Sequence, residues 1–360
     1  MFWEGVAEDV IADLLTAAAI GSVTVATAYW RFSGHLERLR QILHPVLPTS
    51  QVLVATGHGF STKAPQRNDP SPFRSPIGPA ERDRLVEFYQ RLSLTTTWNG
   101  RVVRLDQLEP VLEVSVVEFW DLVATNLTAF FSSTSVLSLP ASVSAMYQWV
   151  QLRPLINKVL AAARPNGRHV PSAAALLANS HLANVAGVAV LVTDPSKHCL
   201  VTQRQRNRMT ARGAWSPTGV GTVEAADLKE QDPFHGAAMR ILDRHAHITP
   251  TSLTLQAVIF PRRNLQPYFC FSGAVDVAFQ ELVPGLCQRA DGPPSTVRYR
   301  LLDLTDPLTI VRFCRTPQQS QTAAYLVWRA GCQEVGEDAL LRAWRHRLMH
   351  AISPRRLFAH

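Results

Sequence analysis

Residues Asp232 to Ile248 read DPFHGAAMRILDRHAHI, and the stretch Ala214 to Glu224 upstream of them reads AWSPTGVGTVE. In the first stretch Ala238, Ile241, Leu242 and His245 recur at helical spacing and form one face of an amphipathic helix. The second is a loop carrying Gly219 and Gly221. Strand signals surround the pair. Asn184 to Thr193, NVAGVAVLVT, reads as a buried strand, and Cys199 to Gln205, CLVTQRQ, as the next. Leu253 to Phe260 and Tyr268 to Val277 read as an antiparallel pair across the basic turn Pro261-Arg262-Arg263-Asn264. Arg298 to Asp303 is a further strand, and helical patterns near Gln319 to Ala330 and Glu337 to His350 close the chain. Strands, loop, helix, hairpin, strand and helices in this order predict an α/β fold.

The two quoted stretches resemble the signature of the Nudix hydrolases, G-x5-E-x7-R-E-U-x-E-E-x-G-U with U aliphatic. Asp232 stands at the first Glu position, Arg240 on the Arg, and Leu242 and Ile248 at the aliphatic positions. Ile241, Arg244 and His245 occupy the three remaining Glu positions, His247 the second Gly and Ala226 the first. Ala237-Ala238 before Arg240, and Trp215-Ser216-Pro217 ahead of Gly219 and Gly221, are the usual companions of the motif and set its register. The resemblance covers roughly residues 180 to 350. It implies a Nudix-like α/β/α sandwich with a mixed sheet. The competing reading is an amphipathic core helix in some other α/β domain.

The departure from the motif bears on chemistry. Attack on a diphosphate needs divalent ions to neutralise charge and activate water, and Mg²⁺ prefers carboxylate oxygens. Carboxylates three and four apart share one helix face. Here that face carries Arg244 and His245. A guanidinium repels Mg²⁺ and attracts phosphate directly. The resemblance implies a ligand pocket between the signature helix and the sheet. Its candidate contacts are Arg204 and Arg206 at a strand end, Trp215, the backbone at Gly219 and Gly221, and Arg240, Arg244 and His245. It also implies that Arg240 often ties the helix to the loop. Residual catalysis would fall to Glu224 and Asp232. A displaced metal set would draw on Glu224, Asp232, Asp243 and His245, with Mg or Mn if the protein is active; otherwise no cofactor is expected.

The chain has 360 residues, enough for two domains, with a formal charge of +8 and 32 Arg against 4 Lys. That Arg bias follows either from a G+C-rich genome or from an affinity for phosphate. No basic run interleaves with aromatics, so direct nucleic-acid binding is not expected. Cysteines 199, 270, 287, 314 and 332 are scattered without a C-x2-C pair, which argues against a zinc knuckle or a disulfide framework.

Leu14 to Trp30, LLTAAAIGSVTVATAYW, is uncharged. Extended to residues 10–31 it has the length of one membrane span. Acidic residues precede it, and Arg31, Arg38 and Arg40 follow, which places residues 1–9 outside and the main body in the cytosol. The alternative is a buried Ala-rich helix. Residues 32–180 read as an α+β region: a strand at Gln51 to Thr56, a Pro-rich surface loop over 61–79, a helix from Pro79 to Leu92, and a strand at Arg101 to Leu105. Leu122 to Leu152 lacks charge but holds six Ser, three Thr and Pro140, and reads as buried strand and turn with a helix near Ser144 to Leu160. Residues 181–350 form the Nudix-like domain and 351–360 a tail.

These readings predict a membrane-anchored, catalytically impaired Nudix-like protein that binds a nucleotide-like small molecule on the cytosolic side. The layout resembles membrane-tethered Nudix-like sensor modules of bacterial conflict systems. The alternatives are an active metal-dependent hydrolase of a nucleoside diphosphate derivative and a protein-interaction scaffold.

Overall fold

A computed structural model describes residues 47–57, 60–92, 95, 97–129, 143–163, 172–204, 213–262, 265–282, 296–316 and 319–352. The expected span at 10–31, Arg206, and residues 353–360 of the tail lie outside them. Among the described residues no helix is long and apolar enough to cross a membrane.

The centre is a mixed eight-stranded sheet. Its strands are β1 (Val52–Thr56), β5 (Gly187–Thr193), β6 (His198–Arg204), β7 (Trp215–Ser216), β8 (Gly219–Thr222), β9 (Ser252–Pro261), β10 (Tyr268–Ala274) and β11 (Thr296–Asp303). The order is β1-β9-β10-β5-β6-β11, with β8 beside β5 and β7 beside β6. β10 and β5 run parallel, while β9 with β10 and β11 with β6 run antiparallel. The apolar run of β5 is buried on both faces, as a covered central strand requires. Val188, Val190 and Val192 point into one core with Phe234, Ala238 and Ile241 of helix α5 (Pro233–Ala246). Ala189 and Leu191 point into the other, with Ile310 of α6 (Pro307–Arg315), Trp328 of α7 (Gln321–Val335) and Leu340 of α8 (Glu337–Ile352). The period of two along the strand thus separates two helical layers.

Helix α5 begins where Asp232 accepts a hydrogen bond from the His235 amide at 3.0 Å, with Pro233 in the first turn. It ends at His247, whose φ of 49° is left-handed. That is the cap conformation glycine adopts most cheaply, and it falls at the second Gly position of the motif.

The middle region packs into this body. β1 pairs with β9 as an edge strand of the large sheet. A second sheet holds β2 (Gln66–Arg67), β4 (Glu113–Glu118) and β3 (Arg101–Gln107), in that order. β3 is spliced to the large sheet's strands: the Val103 amide donates to Val223 O (2.9 Å) and the Ala186 amide to Val103 O (2.8 Å). Val103 and Leu105 enter the α5-side core. Val102 enters a third core with Leu85 and Tyr89 of α1 (Pro79–Arg91), Val123, and Ile156 of the long helix Val143–Ala163.

Two expectations need correction. The start of the uncharged stretch is helical: Phe119–Leu122, here α2, continues as a π-helix over Val123–Leu127. Its polar side chains are satisfied without a strand ladder. The Thr125 and Thr128 hydroxyls donate to the Asp121 and Val123 carbonyls, and Asn126 donates to Leu265 O at 3.0 Å. The helices Val143–Ala163 and Ala173–Leu177 are α3 and α4. The loop at 61–79 is not all surface, because Thr62 and Ile77 are buried and β2 lies within it. Strand β4 and helix α6 were not among the expected elements, although α6 opens on Asp306 and Pro307, a usual helix start.

Candidate ligand-binding cleft

The outer end of α5, the end of β8 and a loop of the middle region enclose a cleft of about 280 Å³. Helix α5 supplies Arg240, Ile241, Arg244 and His245; β8 and the following turn supply Gly221, Thr222 and Glu224. Trp98, just before β3, closes the rim. It is 41% exposed and lies 5.2 Å from the Phe119 ring, centroid to centroid. The isolated bridge between Val102 and Glu224 brings the Trp98 segment to this place.

Arg240 is the hub of the signature loop. Its Nε and Nη2 donate to the two Asp227 carboxylate oxygens (2.9 and 2.7 Å), its Nη1 to Glu224 Oε1 (2.9 Å), and its Nη2 to Thr222 O (3.1 Å). Asp227 Oδ2 also accepts from the Glu224 amide at 2.7 Å. Burial disfavours the charge on Arg240, but the hydrogen bonds and charge of Asp227, aided by Glu224, outweigh it and raise the guanidinium pKa. This is a structural clamp in which each partner holds the other.

One turn later, Arg244 Nη1 lies 3.6 Å from Glu224 Oε1, with its side chain 61% exposed. His245 is half-buried at the cleft wall. Gly219 and Gly221 serve packing. A Cβ at Gly221 would come within 2.8 Å of Ile241 Cδ1, and one at Gly219 within 3.1 Å of Ile241 Cγ2. Only glycine lets β8 approach α5 so closely.

The remaining sequence candidates sit as follows. Asp232 is an N-cap whose other oxygen accepts from the Thr62 hydroxyl at 2.8 Å. Asp243 is exposed, one residue from Arg244 on α5. Trp215 packs against the core on the other face of the sheet, away from the cleft-lining residues. Arg204 ends β6, with only its backbone among the described atoms, and Arg206 lies outside the described residues. The structure thus brings together Gly221, Glu224, Arg240, Arg244 and His245 and leaves Trp215 and Asp232 elsewhere. Trp98 and Thr222 join the cleft unannounced; no periodicity marks a loop aromatic.

Glu224 and Asp227 are tied to Arg240, Asp232 is spent on a helix cap and Thr62, and a guanidinium stands beside the one carboxylate facing the cleft. Among the described residues no group of three or more His, Cys, Asp or Glu is placed to hold a metal ion.

Neither a protein-family profile nor a curated protein sequence matches the chain. Solved structures similar to part of it include DR0079 from Deinococcus radiodurans (13% identity, 41% of this chain and 82% of that one, TM-score 0.31). Tm1382, assigned provisionally to the Nudix hydrolases, shows 14% identity over 40% of this chain and 70% of its own, with a TM-score of 0.28. A UDP-X diphosphatase shows 10% identity over 61% of this chain and 92% of its own, with a TM-score of 0.23. These likenesses are distant, and what the chain displays by itself is a mixed α/β sandwich with a large mixed sheet.

Proposed function

We propose that this is a Nudix-like protein that binds a nucleotide-type phosphate ligand in the α5 cleft without hydrolysing it, tethered to a membrane by residues 10–31 with its main body in the cytosol. The observation that carries the reading is the pairing of Glu224. Arg240, on the motif's own Arg position, holds it at 2.9 Å, and Arg244 approaches to 3.6 Å from a Glu position of the motif, so one guanidinium stands where a metal-binding carboxylate would be needed. Arg240 is committed to the loop, whereas Arg244 is mostly exposed and available to a ligand. A phosphate presents more negative charge than one carboxylate and accepts a forked pair of hydrogen bonds, so it competes well for Arg244. His245 adds a donor at the wall, and the Trp98 ring offers an aromatic face for a base. The Arg residues that follow the N-terminal apolar stretch support the cytosolic orientation. A tether joined to a binding cleft suits a sensor.

The test uses the full chain in detergent with cyclic dinucleotides, dinucleoside polyphosphates and ADP-ribose, each with Mg²⁺ or Mn²⁺. Thermal melting reports binding and mass spectrometry reports turnover. A saturable rise in Tm with intact ligand is the expected result. Metal-dependent turnover that disappears in Glu224→Ala or Asp232→Ala would establish a hydrolase instead. No binding up to roughly millimolar ligand, together with a stable protein partner in pull-downs, would establish a scaffold. Release from membranes by carbonate alone would remove the tether.

A further inference from the structure

The opposite face of the large sheet carries a second cavity, of about 140 Å³, where the ends of β5, β9 and β10 meet α7. Along these strands the side chains aimed at the α7 layer begin as ordinary core: Ala189 and Leu191, Ala257 and Ile259, Cys270. At the cavity the same strands become polar, presenting Thr193, Thr254, Gln256 and Ser272. A bulge contributes to the change. The β9–β10 register passes from Ala257 opposite Cys270 to Leu255 opposite Phe271, so Gln256 is the extra residue. Its buried side chain meets Gln333 of α7, whose Nε2 donates to Gln256 Oε1 at 3.3 Å.

Most of these groups have protein partners. Gln256 Nε2 donates to Ser272 Oγ, the Thr193 hydroxyl donates to Gly273 O at 3.3 Å, and Glu334 at the rim pairs with Lys197 at 3.0 Å. Arg329 differs. It lines the cavity, and its Nε is buried without a hydrogen-bond partner among the described residues. A guanidinium N–H withdrawn from water needs an acceptor. The one carboxylate lining the cavity, Glu334, is already engaged by Lys197. A cationic donor among hydroxyl and amide groups excludes a cation and gives an apolar group nothing to pair with.

We infer that this cavity is a second ligand site, one that takes a small oxyanion, a carboxylate or phosphate group, on Arg329 Nε with the Ser272 and Thr254 hydroxyls completing its shell. It lies across the sheet from the α5 cleft and is independent of it.

The experiment follows Tm and calorimetric binding of the full chain with inorganic phosphate and, separately, with acetate, against sodium chloride of equal ionic strength. A saturable effect of either anion above the chloride control is expected, and the two arms separate a phosphate site from a carboxylate site. Arg329→Gln should leave the anion-free Tm essentially unchanged, because Nε gives up no protein partner, and should weaken anion binding at least about tenfold. Thr254→Val, at an exposed strand position, should weaken it less. Arg244→Ala should leave it intact. The inference is overturned if neither anion acts beyond chloride, if the effect survives unchanged in both Arg329→Gln and Thr254→Val, or if Arg329→Gln alone collapses the anion-free fold.

Discussion

Arg104 in the middle region and Arg240 on the signature helix each hold a carboxylate, at different depths. The Arg104 side chain is 1% exposed and paired with Asp106, at 5%; its Nε also donates to Leu182 O at 3.3 Å. Arg240 is 26% exposed and serves two carboxylates and a carbonyl. Burial pushes the Arg104 guanidinium down to about 10, still charged at neutral pH, whereas at Arg240 the paired carboxylates win over burial and the shift is upward. The comparison separates two uses of one side chain. At full depth the guanidinium locks β3 to the chain before β5. At half depth it clamps a loop against a helix. One turn beyond Arg240, at 61% exposure, Arg244 has little to stabilise and is suited to meeting a ligand.

The deep pair should respond most. Arg104→Met leaves Asp106 buried and without its cationic partner, and breaking such a pair costs about 3–5 kcal/mol. Urea unfolding should show that loss. Asp106 also accepts from Asn68 and Ser115, so Arg104→Met combined with Asp106→Asn, which removes the stranded charge, should recover part of it. A single-variant loss below about 1 kcal/mol, the range of an exposed pair, would erase the distinction between depths.

Arg240→Ala should cost less, about 3 kcal/mol, because the clamp is partly solvated although it strands Asp227, which is 8% exposed. Arg240→Lys should recover little, since a single ammonium cannot reproduce the forked contacts to Asp227, Glu224 and Thr222 O. Full rescue by Lys in thermal melts would mean that charge alone, and not the fork, holds the loop.

How much of this was legible beforehand follows the range of the signals. The signature helix was readable because its apolar residues repeat within a few turns: Ala238, Ile241 and Leu242 are indeed buried, while His245, read on the same stripe, is only half-buried at the cleft wall. The strands around it announced themselves by local apolar runs. That β1 pairs with β9, and that β3 hydrogen-bonds to Val223 and Asn184, depends on contacts between distant parts of the chain, for which local patterning holds no record. Ser and Thr in the uncharged stretch suggested strand, yet Thr125 and Thr128 bond back to their own helix while Asn126 reaches Leu265 O; tertiary context overrides propensity there. In the cleft, Arg240, Arg244 and His245 come together by the spacing of one helix, and Glu224 joins them from the loop upstream of the motif. Trp98 arrives from a loop that only the β3 splice brings near.

The helix end sharpens the comparison by fixing which residues of α5 face the cleft. His247 holds a left-handed conformation at φ 49°, which costs a side chain roughly 1 kcal/mol relative to glycine before glycine's greater chain entropy is set against it. His247→Gly should therefore raise stability by about 0.5 kcal/mol or more, read as a higher denaturation midpoint at unchanged slope. A loss instead would show that the imidazole, and not the turn, is what the position requires, and would weaken the assignment of this residue to the motif's glycine.

The smallest stability effect should come from Arg244, and it is the one that carries the functional contrast. Its contact with Glu224 is a 3.6 Å approach by a mostly exposed group, and exposed pairs contribute little, with substitutions at such sites usually within about 0.5 kcal/mol. Arg244→Ala should therefore melt like the parent while losing the nucleotide-dependent rise in Tm. Arg240→Ala should show the opposite order, a lower melting point first and weakened binding as its consequence. If Arg244→Ala instead destabilises as much as Arg240→Ala, both guanidiniums belong to one structural clamp, and the cleft would have no cation to spare for a phosphate.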